Sequence, residues 1–330
     1  MPLIRKLFAF VLLAAAPAAA AADPIAHTFS IVARDPKTGE MGVAVQSHWF
    51  AVGSNVTWGE AGVGVVATQS FIEPAYGLKG LELMRAGVPA PEALKRLVAA
   101  DPQPDGRQVA FLDAQGRVSA YTGKSAIAAA GQHIGANFSA QANMMVNDCI
   151  WPAMAQAFET TQGDLADRLL AALDAAQAAG GDMRGRQSAA ILVVRGASTG
   201  RPWAGADRVF DLRVDDNPQP IAELRRLVRL QRAYTHANHG DELMTEKKVD
   251  EALKEYAAAE QIAPEIAELP FWHAVTLVSV GREAEAVPIF QKVFAKEPVW
   301  ADMLARLPAA GLLPDDPALI ARLQKLRSAK

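Results

Sequence analysis

The chain has 330 residues, of which 51% are hydrophobic and 21% are charged, and its formal net charge is −3. This length suits two domains and a targeting segment, and the composition is that of a globular protein. A small negative charge without a basic run gives no support to nucleic-acid binding, so that class of function is set aside.

The N-terminus has the pattern of a secretory signal peptide. Arg5 and Lys6 precede an apolar stretch, residues 7–16, and small residues follow up to Ala22. The apolar stretch is short for a membrane span, and small residues suit signal peptidase. We therefore predict that residues 1–22 are a signal peptide, that the protein is exported to the periplasm or secreted, and that no membrane anchor remains.

The chain has a single cysteine, Cys149, so no disulfide can form within it. The thiol could act as a nucleophile, but free cysteines are more often small buried residues than catalytic groups. We expect Cys149 to be buried where a helix begins near Ile150.

Three apolar runs follow in quick succession after the signal region. The first two are residues 29–33 and 41–45, and Asp35-Pro36-Lys37-Thr38-Gly39 between them has the composition of a tight turn. The third is residues 62–67. Runs joined by such short connections predict antiparallel strands, and their lack of polar alternation indicates a sheet covered on both faces.

Polar residues directly follow the second and third runs. Gln46 and Ser47 come after one, and Thr68, Gln69 and Ser70 come after the other. In an antiparallel arrangement these ends lie beside the start of the first strand. We therefore expect a site there, with Gln46, Thr68 and Gln69 as hydrogen-bond donors to a substrate or an oxyanion. The alternative is that they only bond neighbouring backbone.

The middle of the chain alternates helices and strands. Helical spacing follows Ser70 in two segments, and a turn at Ala114-Gln115-Gly116 predicts a hairpin. Two further helices, residues 150–158 and 165–179, precede a strand at residues 188–195. Strand clusters followed by helices indicate stacked sheets with helices outside, not a doubly wound parallel sheet.

The last third is helical and contains a repeat. Ala252, Tyr256 and Pro264 recur 34 positions later as Ala286, Phe290 and Pro298. That period and residue pattern are typical of tetratricopeptide repeats. We predict two domains after the signal peptide: residues 23–218, with mixed α and β structure, and residues 219–330, an all-α tetratricopeptide-like repeat domain.

Three stretches together resemble domain-of-unknown-function family 1028, which belongs to the N-terminal-nucleophile (Ntn) hydrolase-like superfamily. They are TFSIVARDPKTGEMGVAVQS, GVGVVATQS with PAYGLKGLELMRAG, and GGDMRGRQSAAILVV. The resemblance covers about residues 28–218. It implies an α+β fold, a four-layer αββα sandwich.

The resemblance also implies a nucleophile. In Ntn hydrolases the first residue of the mature chain attacks an amide carbonyl, and its own α-amino group accepts the proton. The matching residue here is Thr28. Cleavage after Ala22 leaves five residues before Thr28. The mechanism therefore requires a second trimming step that frees the threonine amine.

Ser30 and Ser47 are alternative nucleophiles if Thr28 is never freed. His48 follows Ser47 directly, but adjacent residues of a strand point to opposite faces, so this pair does not predict a catalytic dyad.

A charged tract precedes the strand at residues 188–195. It contains Asp182, Arg184 and Arg186, and Arg186 could bind a substrate carboxylate. The alternative is a solvated loop with an ion pair.

No motif predicts a metal or another cofactor. His236 and His239 have a spacing that can ligate zinc but lack further ligands nearby. Asp211, Asp215 and Asp216 lack the glycine and the spacing of a calcium loop.

The resemblance favours an amidohydrolase that cleaves a carbon–nitrogen bond of a small or peptide-like substrate without a cofactor. The alternative is a non-catalytic binding or scaffold protein that retains the fold. A third interpretation is a ring- or amide-opening catabolic enzyme that uses a non-terminal nucleophile. The repeats could bind a protein partner, and a homo-oligomer is compatible with the sequence.

Overall fold

The computed structural model describes residues 25–26 and 28–327. The predicted signal peptide and its cleavage site lie outside these residues, as does His27. Within the described ranges no helix is long and apolar enough to cross a membrane.

Eleven strands occur in the part of the chain that the structure describes, and every pairing between them is antiparallel. They are β1 (Ile25–Ala26), β2 (Thr28–Arg34), β3 (Met41–Ser47), β4 (Thr57–Glu60), β5 (Gly64–Phe71), β6 (Arg107–Asp113), β7 (Val118–Thr122), β8 (Gly131–Gly135), β9 (Phe138–Ala142), β10 (Ser188–Val194) and β11 (Arg208–Val214). Antiparallel pairing of the first two long strands, β2 and β3, confirms that part of the prediction.

The strands form two sheets. Sheet A has the order β1-β5-β6-β7, with β4 also paired to β5, and sheet B has the order β11-β10-β3-β2-β9-β8. The predicted third strand, β5, therefore lies in the other sheet and is not a neighbour of β3. The reason is β4, which forms a hairpin with β5 and carries the chain away from sheet B. The mixed α and β structure with antiparallel sheets is confirmed.

The helices lie between and after the strands. They are α1 (Gly53–Val56), α2 (Ala75–Arg85), α3 (Ala90–Ala100), α4 (Ile150–Thr160), α5 (Leu165–Ala178), α6 (Pro220–Thr245), α7 (Val249–Ile262), α8 (Glu268–Ser279), α9 (Glu283–Lys296), α10 (Val299–Met303) and α11 (Pro317–Gln324). Short 3₁₀ turns occur at Pro104–Gly106, Pro202–Ala204, Leu304–Arg306 and Pro308–Ala310.

Alternation along the strands divides their side chains between two cores. On β3, Val43 and Val45 pack with Val65 of sheet A, between the sheets. Ala44 faces the other way and packs with Leu169 and Leu173 of α5. A third cluster joins β5 and β6 to α2 and α3. Each sheet therefore buries both faces, which explains why the strands lack polar alternation.

The turn between β2 and β3 sets the register of this pair. Asp35 Oδ1 accepts a hydrogen bond from the backbone N–H of Lys37 at 2.7 Å, and Gly39 has φ +78°. An aspartate that caps its own turn and a glycine with positive φ are the turn chemistry expected from the sequence. As a result, Thr28 lies directly opposite Ser47.

The last third of the chain is helical, and its two repeated aromatic residues are buried. Tyr256 is 3% exposed and Phe290 is 0% exposed. The rings belong to one apolar cluster that also includes Phe271 of α8. The preceding helix, α6, has 26 residues. Its first half packs on sheet B through Leu224 and Val228, and Leu243 in its second half belongs to the apolar cluster of Tyr256 and Phe290.

The prediction that Cys149 is buried is wrong. Cys149 is exposed and is the residue immediately before α4. Burial begins one residue later, at Ile150, which is fully buried under sheet B. The buried face of α4 begins with Ile150 in the first helical turn, so the side chain of Cys149, one residue earlier, is exposed to solvent.

Candidate functional site

A row of hydroxyl side chains crosses one end of sheet B. Thr28 on β2 lies opposite Ser47 on β3, and Ser188 on β10 lies opposite Ser47 on its other side. Thr28 Oγ1 donates a hydrogen bond to Ser47 Oγ at 3.2 Å. Ser188 Oγ instead donates to the carbonyl of Trp49. All three residues are fully buried.

Gln69 reaches this row from sheet A across the gap between the sheets. Its Oε1 accepts a hydrogen bond from Ser30 Oγ at 2.6 Å. Its Nε2 donates to the carbonyl oxygen of Thr28 at 3.2 Å and to Gln108 Oε1 at 2.8 Å. The two predicted residues Ser47 and Gln69 therefore both contact Thr28, one from each sheet.

β9 and the residue after it complete the network. Gln141 Nε2 donates to Ser30 Oγ at 2.6 Å, and Asn143 Nδ2 donates to Gln108 Oε1 at 2.8 Å. The backbone N–H of Asn143 donates to the Thr28 carbonyl at 3.1 Å. We call Thr28, Ser30, Ser47, Gln69, Gln108, Gln141 and Asn143 the intersheet network.

The sequence prediction missed Gln108, Gln141 and Asn143. A signal for them exists, because Gln141 and Asn143 are two residues apart and so share one face of a strand. Gln108 likewise shares a face with Ala110 and Leu112, which pack between the sheets. A buried glutamine in phase with intersheet residues must find polar partners there.

Two of the predicted donors point away from the intersheet network. Gln46 shares the face of β3 that holds Ala44, toward α5, and its amide nitrogen and oxygen are buried without a hydrogen-bond partner among the described residues. Thr68 is on the helix-facing side of β5, and its Oγ1 donates to the carbonyl of Glu73 at 3.3 Å. The structure thus does not bring either side chain to Thr28.

Asp182 anchors the charged tract to the end of β3. Its side chain is fully buried, and its Oδ2 accepts the backbone N–H of His48, the residue after Ser47, at 3.1 Å. Arg184 pairs with the same carboxylate at 2.6 Å. Asp182 therefore holds the loop beside Ser47, while its own charge is already compensated.

Arg186 lies in the same tract, directly before Gln187, whose backbone contacts Ser47. The next residue, Gln187, donates its N–H to the Ser47 carbonyl at 3.1 Å. The Arg186 side chain is exposed, and it forms no hydrogen bond or ion pair with the described residues. A guanidinium in this position is available to an anion that approaches the end of β3.

The intersheet network is electrically neutral. Its members are hydroxyls and carboxamides, none of which can accept a proton near neutral pH. Its best-defined point is the Thr28 carbonyl, which accepts from Gln69 Nε2 at 3.2 Å, from Asn143 N at 3.1 Å and from Asn143 Nδ2 at 3.5 Å. These contacts fix the backbone of Thr28 and aim its hydroxyl at Ser47.

The chain just before Thr28 belongs to the other sheet. Ile25 and Ala26 form β1, which pairs with Phe71 and Ser70 of β5 in sheet A. Thr28 then begins β2 in sheet B. The backbone therefore passes from sheet A at Ala26 to sheet B at Thr28.

Metal ligands do not gather near the site. Across residues 25–26 and 28–327, no group of three or more His, Cys, Asp or Glu side chains is positioned to hold a metal ion. His236 Nδ1 instead pairs with Glu255.

The fold and site define a mixed α and β protein with two antiparallel sheets and a buried neutral network of hydroxyls and amides between them. The chain belongs to the family described as "Family of unknown function (DUF1028)", which matches residues 28–224. The match begins at Thr28, the first residue of the network.

A solved structure of the same family is similar to this chain. It is protein SPO2555 from Silicibacter pomeroyi, with 32% sequence identity and a TM-score of 0.55. The similarity covers 61% of this chain and 84% of the other. No curated protein matches this chain.

Proposed function

We propose that this protein is an amidohydrolase of the Ntn type, with Thr28 as its nucleophile. The observation that carries the proposal is the hydrogen bond of 3.2 Å from Thr28 Oγ1 to Ser47 Oγ, at a residue whose carbonyl is held by three N–H groups. A nucleophile needs a fixed hydroxyl and a polar partner at hydrogen-bond distance.

The neutrality of the network supports the N-terminal mechanism over one that uses a side-chain base. A hydroxyl attacks an amide carbonyl only when a base accepts its proton. The hydrogen-bond partners of Thr28 are a serine hydroxyl, two carboxamides and backbone groups. The described residues of the network include no such base, whereas a free α-amino group has an ordinary pKa of about 7.7–8.0 and could act as one.

The reaction follows from these roles. The Thr28 hydroxyl attacks the substrate carbonyl carbon, and the α-amino group accepts its proton. The carbon–nitrogen bond then breaks, and the amine returns the proton to the leaving nitrogen. Water hydrolyses the resulting ester and regenerates Thr28. Arg186 is the candidate group for a substrate carboxylate, since it has no ionic partner among the described residues.

The mature N-terminus provides the test. Two purified forms are compared: a chain released from a fusion partner so that it begins at Thr28, and a chain that begins at Asp23. We expect hydrolysis of small amides and peptides by the first form alone. Intact mass and N-terminal sequencing of the exported protein should then find Thr28 at its start.

Matched variants separate chemistry from folding. Thr28→Ala in the shorter form should reduce turnover to the background rate while the circular dichroism spectrum is retained. Ser188→Ala removes a buried hydroxyl from the same row, but one bonded to Trp49 and not to Thr28. It should retain most of the activity. Equal activity of the two chain forms, or an active Thr28→Ala protein, would refute the N-terminal mechanism.

A second candidate function is non-catalytic binding, and one observation favours it. Thr28 is 0% exposed, and the segment before it pairs with the edge of β5. If every exported chain begins at Asp23, Thr28 is acylated and its nitrogen cannot act as the base. The protein would then act as a binding or scaffold protein.

Our proposal has a structural part and a cellular part. We propose that the stacked sheets and outer helices are an Ntn-hydrolase-like αββα sandwich, and that residues 219–330 form a tetratricopeptide-like repeat domain that binds a protein partner. We also propose that residues 1–22 direct export to the periplasm or the medium. Fractionation of cells that express the full-length chain tests the last point.

A further inference from the structure

A cavity of about 580 Å³ lies among the helices of the last third of the chain. Its walls come from α6, α7 and α8, and Gly311 and Leu312 close one side. Sites for small molecules in proteins have volumes of about 300–1,000 Å³, so this cavity is large enough for one. It is separate from the intersheet network, which shares no residue with its walls.

Glu268 on α8 is held in this cavity by two aromatic side chains. Tyr234 Oη donates to Glu268 Oε2 at 3.1 Å, and Trp272 Nε1 donates to Glu268 Oε1 at 3.2 Å. Both carboxylate oxygens thus have a neutral donor, and the two rings flank the carboxylate. The arrangement fixes the carboxylate without neutralising its charge.

Asp241 on α6 has the same kind of partner. Tyr256 Oη donates to Asp241 Oδ1 at 2.7 Å. Burial, and after it the hydrogen bond to Asp241, raises the pKa of Tyr256 well above its ordinary value. The pKa of Tyr234 is raised in the same way, by burial first and then by Glu268. Both phenols therefore keep their protons and remain donors.

The charge of the cavity is unbalanced. Asp241 and Glu268 are the only ionised side chains among its described lining residues, which include no lysine, arginine or histidine. Neither carboxylate forms an ion pair with another described residue. Other acidic residues of this region do, as Glu265 does with Arg229.

We infer that this cavity binds a small organic cation, a molecule with a primary ammonium group on an alkyl chain. The carboxylates of Asp241 and Glu268 would accept its N–H bonds, and the three rings would contact the cation and its methylene groups. Cations are attracted to the faces of tryptophan and tyrosine rings, and charge-assisted hydrogen bonds are the stronger ones. Because Glu268 is already fixed by two donors, little ordering accompanies binding.

The test is a titration of the full exported chain with 1,5-diaminopentane, followed by calorimetry and by ligand-observed NMR. The uncharged control ligand is 1,5-pentanediol, which has the same length. We expect saturable binding of the diamine, weaker binding as salt is raised, and no saturable binding of the diol. Saturation should occur below about 10 mM, the scale of weak small-ligand affinities.

Three variants locate the site. Glu268→Gln and Asp241→Asn each remove one cavity charge, and each should weaken binding at least about fivefold, as expected for loss of a charge-assisted bond. Glu265→Gln removes the same charge from a residue that does not line the cavity, and should change binding less than about twofold. Circular dichroism verifies folding, and Asp241 is an exposed residue whose change leaves the apolar cluster intact.

Three results would overturn the inference. The first is no saturable binding of the diamine by the unaltered protein. The second is equal binding of the diol, which would mean that charge is not recognised. The third is diamine binding that Glu268→Gln and Asp241→Asn leave unchanged, which would place the cation elsewhere.

Discussion

The amide of Gln69 is the central connection of the intersheet network, and its replacement by leucine tests the network. Leucine keeps a similar volume but removes four hydrogen bonds, to Ser30, the Thr28 carbonyl, Gln108 and the Gln141 carbonyl. The last of these is 3.5 Å long, at the limit of hydrogen-bond distance, and adds little to the cost. The Thr28 carbonyl and Gln108 Oε1 each keep a bond from Asn143. The Ser30 hydroxyl, by contrast, loses the acceptor for its proton.

The cost follows from these losses. One buried donor left without a partner costs about 1–3 kcal/mol, and two bonds lost where another partner remains cost about 0.5–1.5 kcal/mol each. We therefore expect Gln69→Leu to reduce the free energy of unfolding by about 2–6 kcal/mol. The assay is equilibrium urea unfolding, in which the midpoint should fall while the slope stays constant.

Gln46 provides a matched control on the neighbouring face. It is also a fully buried glutamine, but both of its amide atoms lack a hydrogen-bond partner among the described residues. Gln46→Leu removes buried polar atoms that gain nothing, so the protein should be equally stable or more stable by about 1–3 kcal/mol. If both variants lose the same stability, the assignment of polar partners to the two glutamines is wrong.

Two further predictions concern packing and pH. Phe290→Ala should reduce the free energy of unfolding by about 3–5 kcal/mol because the ring is 0% exposed, whereas Leu78→Ala at an exposed position should change it by less than about 0.5 kcal/mol; equal losses in urea unfolding would contradict this. Burial alone would raise the pKa of Asp101, but hydrogen bonds from Arg107, the Gln103 amide and Tyr76 outweigh it and lower that pKa below its usual value. Asp101→Asn should therefore cost about 3–5 kcal/mol at neutral pH, because Arg107 loses the charge of its buried partner. The difference from the unaltered protein should begin to shrink as pH falls below about 4, where the carboxylate of the unfolded state is protonated, and should be lost only below the lowered pKa of the folded state; a difference that is constant down to the pH of acid unfolding would contradict the reasoning.

The contact between Thr28 and Ser47 could be predicted from the sequence because local chemistry determines it. The turn at Asp35-Pro36-Lys37-Thr38-Gly39 is short and has strong residue preferences, so it specifies both the pairing and the register of β2 and β3. Once the register is set, the ends of the hairpin must meet. The structure agrees, with Thr28 opposite Ser47.

The position of Gln69 could not be predicted in this way. Its approach to Thr28 depends on how one sheet stacks on the other, a long-range contact that no local pattern encodes. The sequence analysis correctly expected Gln69 near Thr28, but it assumed that β5 pairs beside β3. In the structure β5 belongs to the other sheet and lies across the gap between the sheets.

Strand periodicity could have resolved the remaining donors. Adjacent strand residues point to opposite faces, so Gln46 and Ser47 cannot both face Thr28, nor can Thr68 and Gln69. To tell which residue of each pair faces Thr28, one must know which face of each strand lies between the two sheets. In the structure, Val45 and Ala67 mark that face, and they are in phase with Ser47 and Gln69.

The position of β1 connects the two proposed functions. In the chain that begins before Thr28, this segment pairs with Ser70 and Phe71, and Thr28 is fully buried as a peptide-bonded residue. A single cut before Thr28 would have two effects, because it would free the amine that the neutral network lacks and would release the covalent connection to β1. In the uncut chain the Thr28 hydroxyl is buried, and the described residues of the intersheet network include no base. The two proposed forms, enzyme and binding protein, therefore differ by one peptide bond. The intersheet network is compatible with both forms, because its contacts are to the Thr28 carbonyl and not to the Thr28 nitrogen.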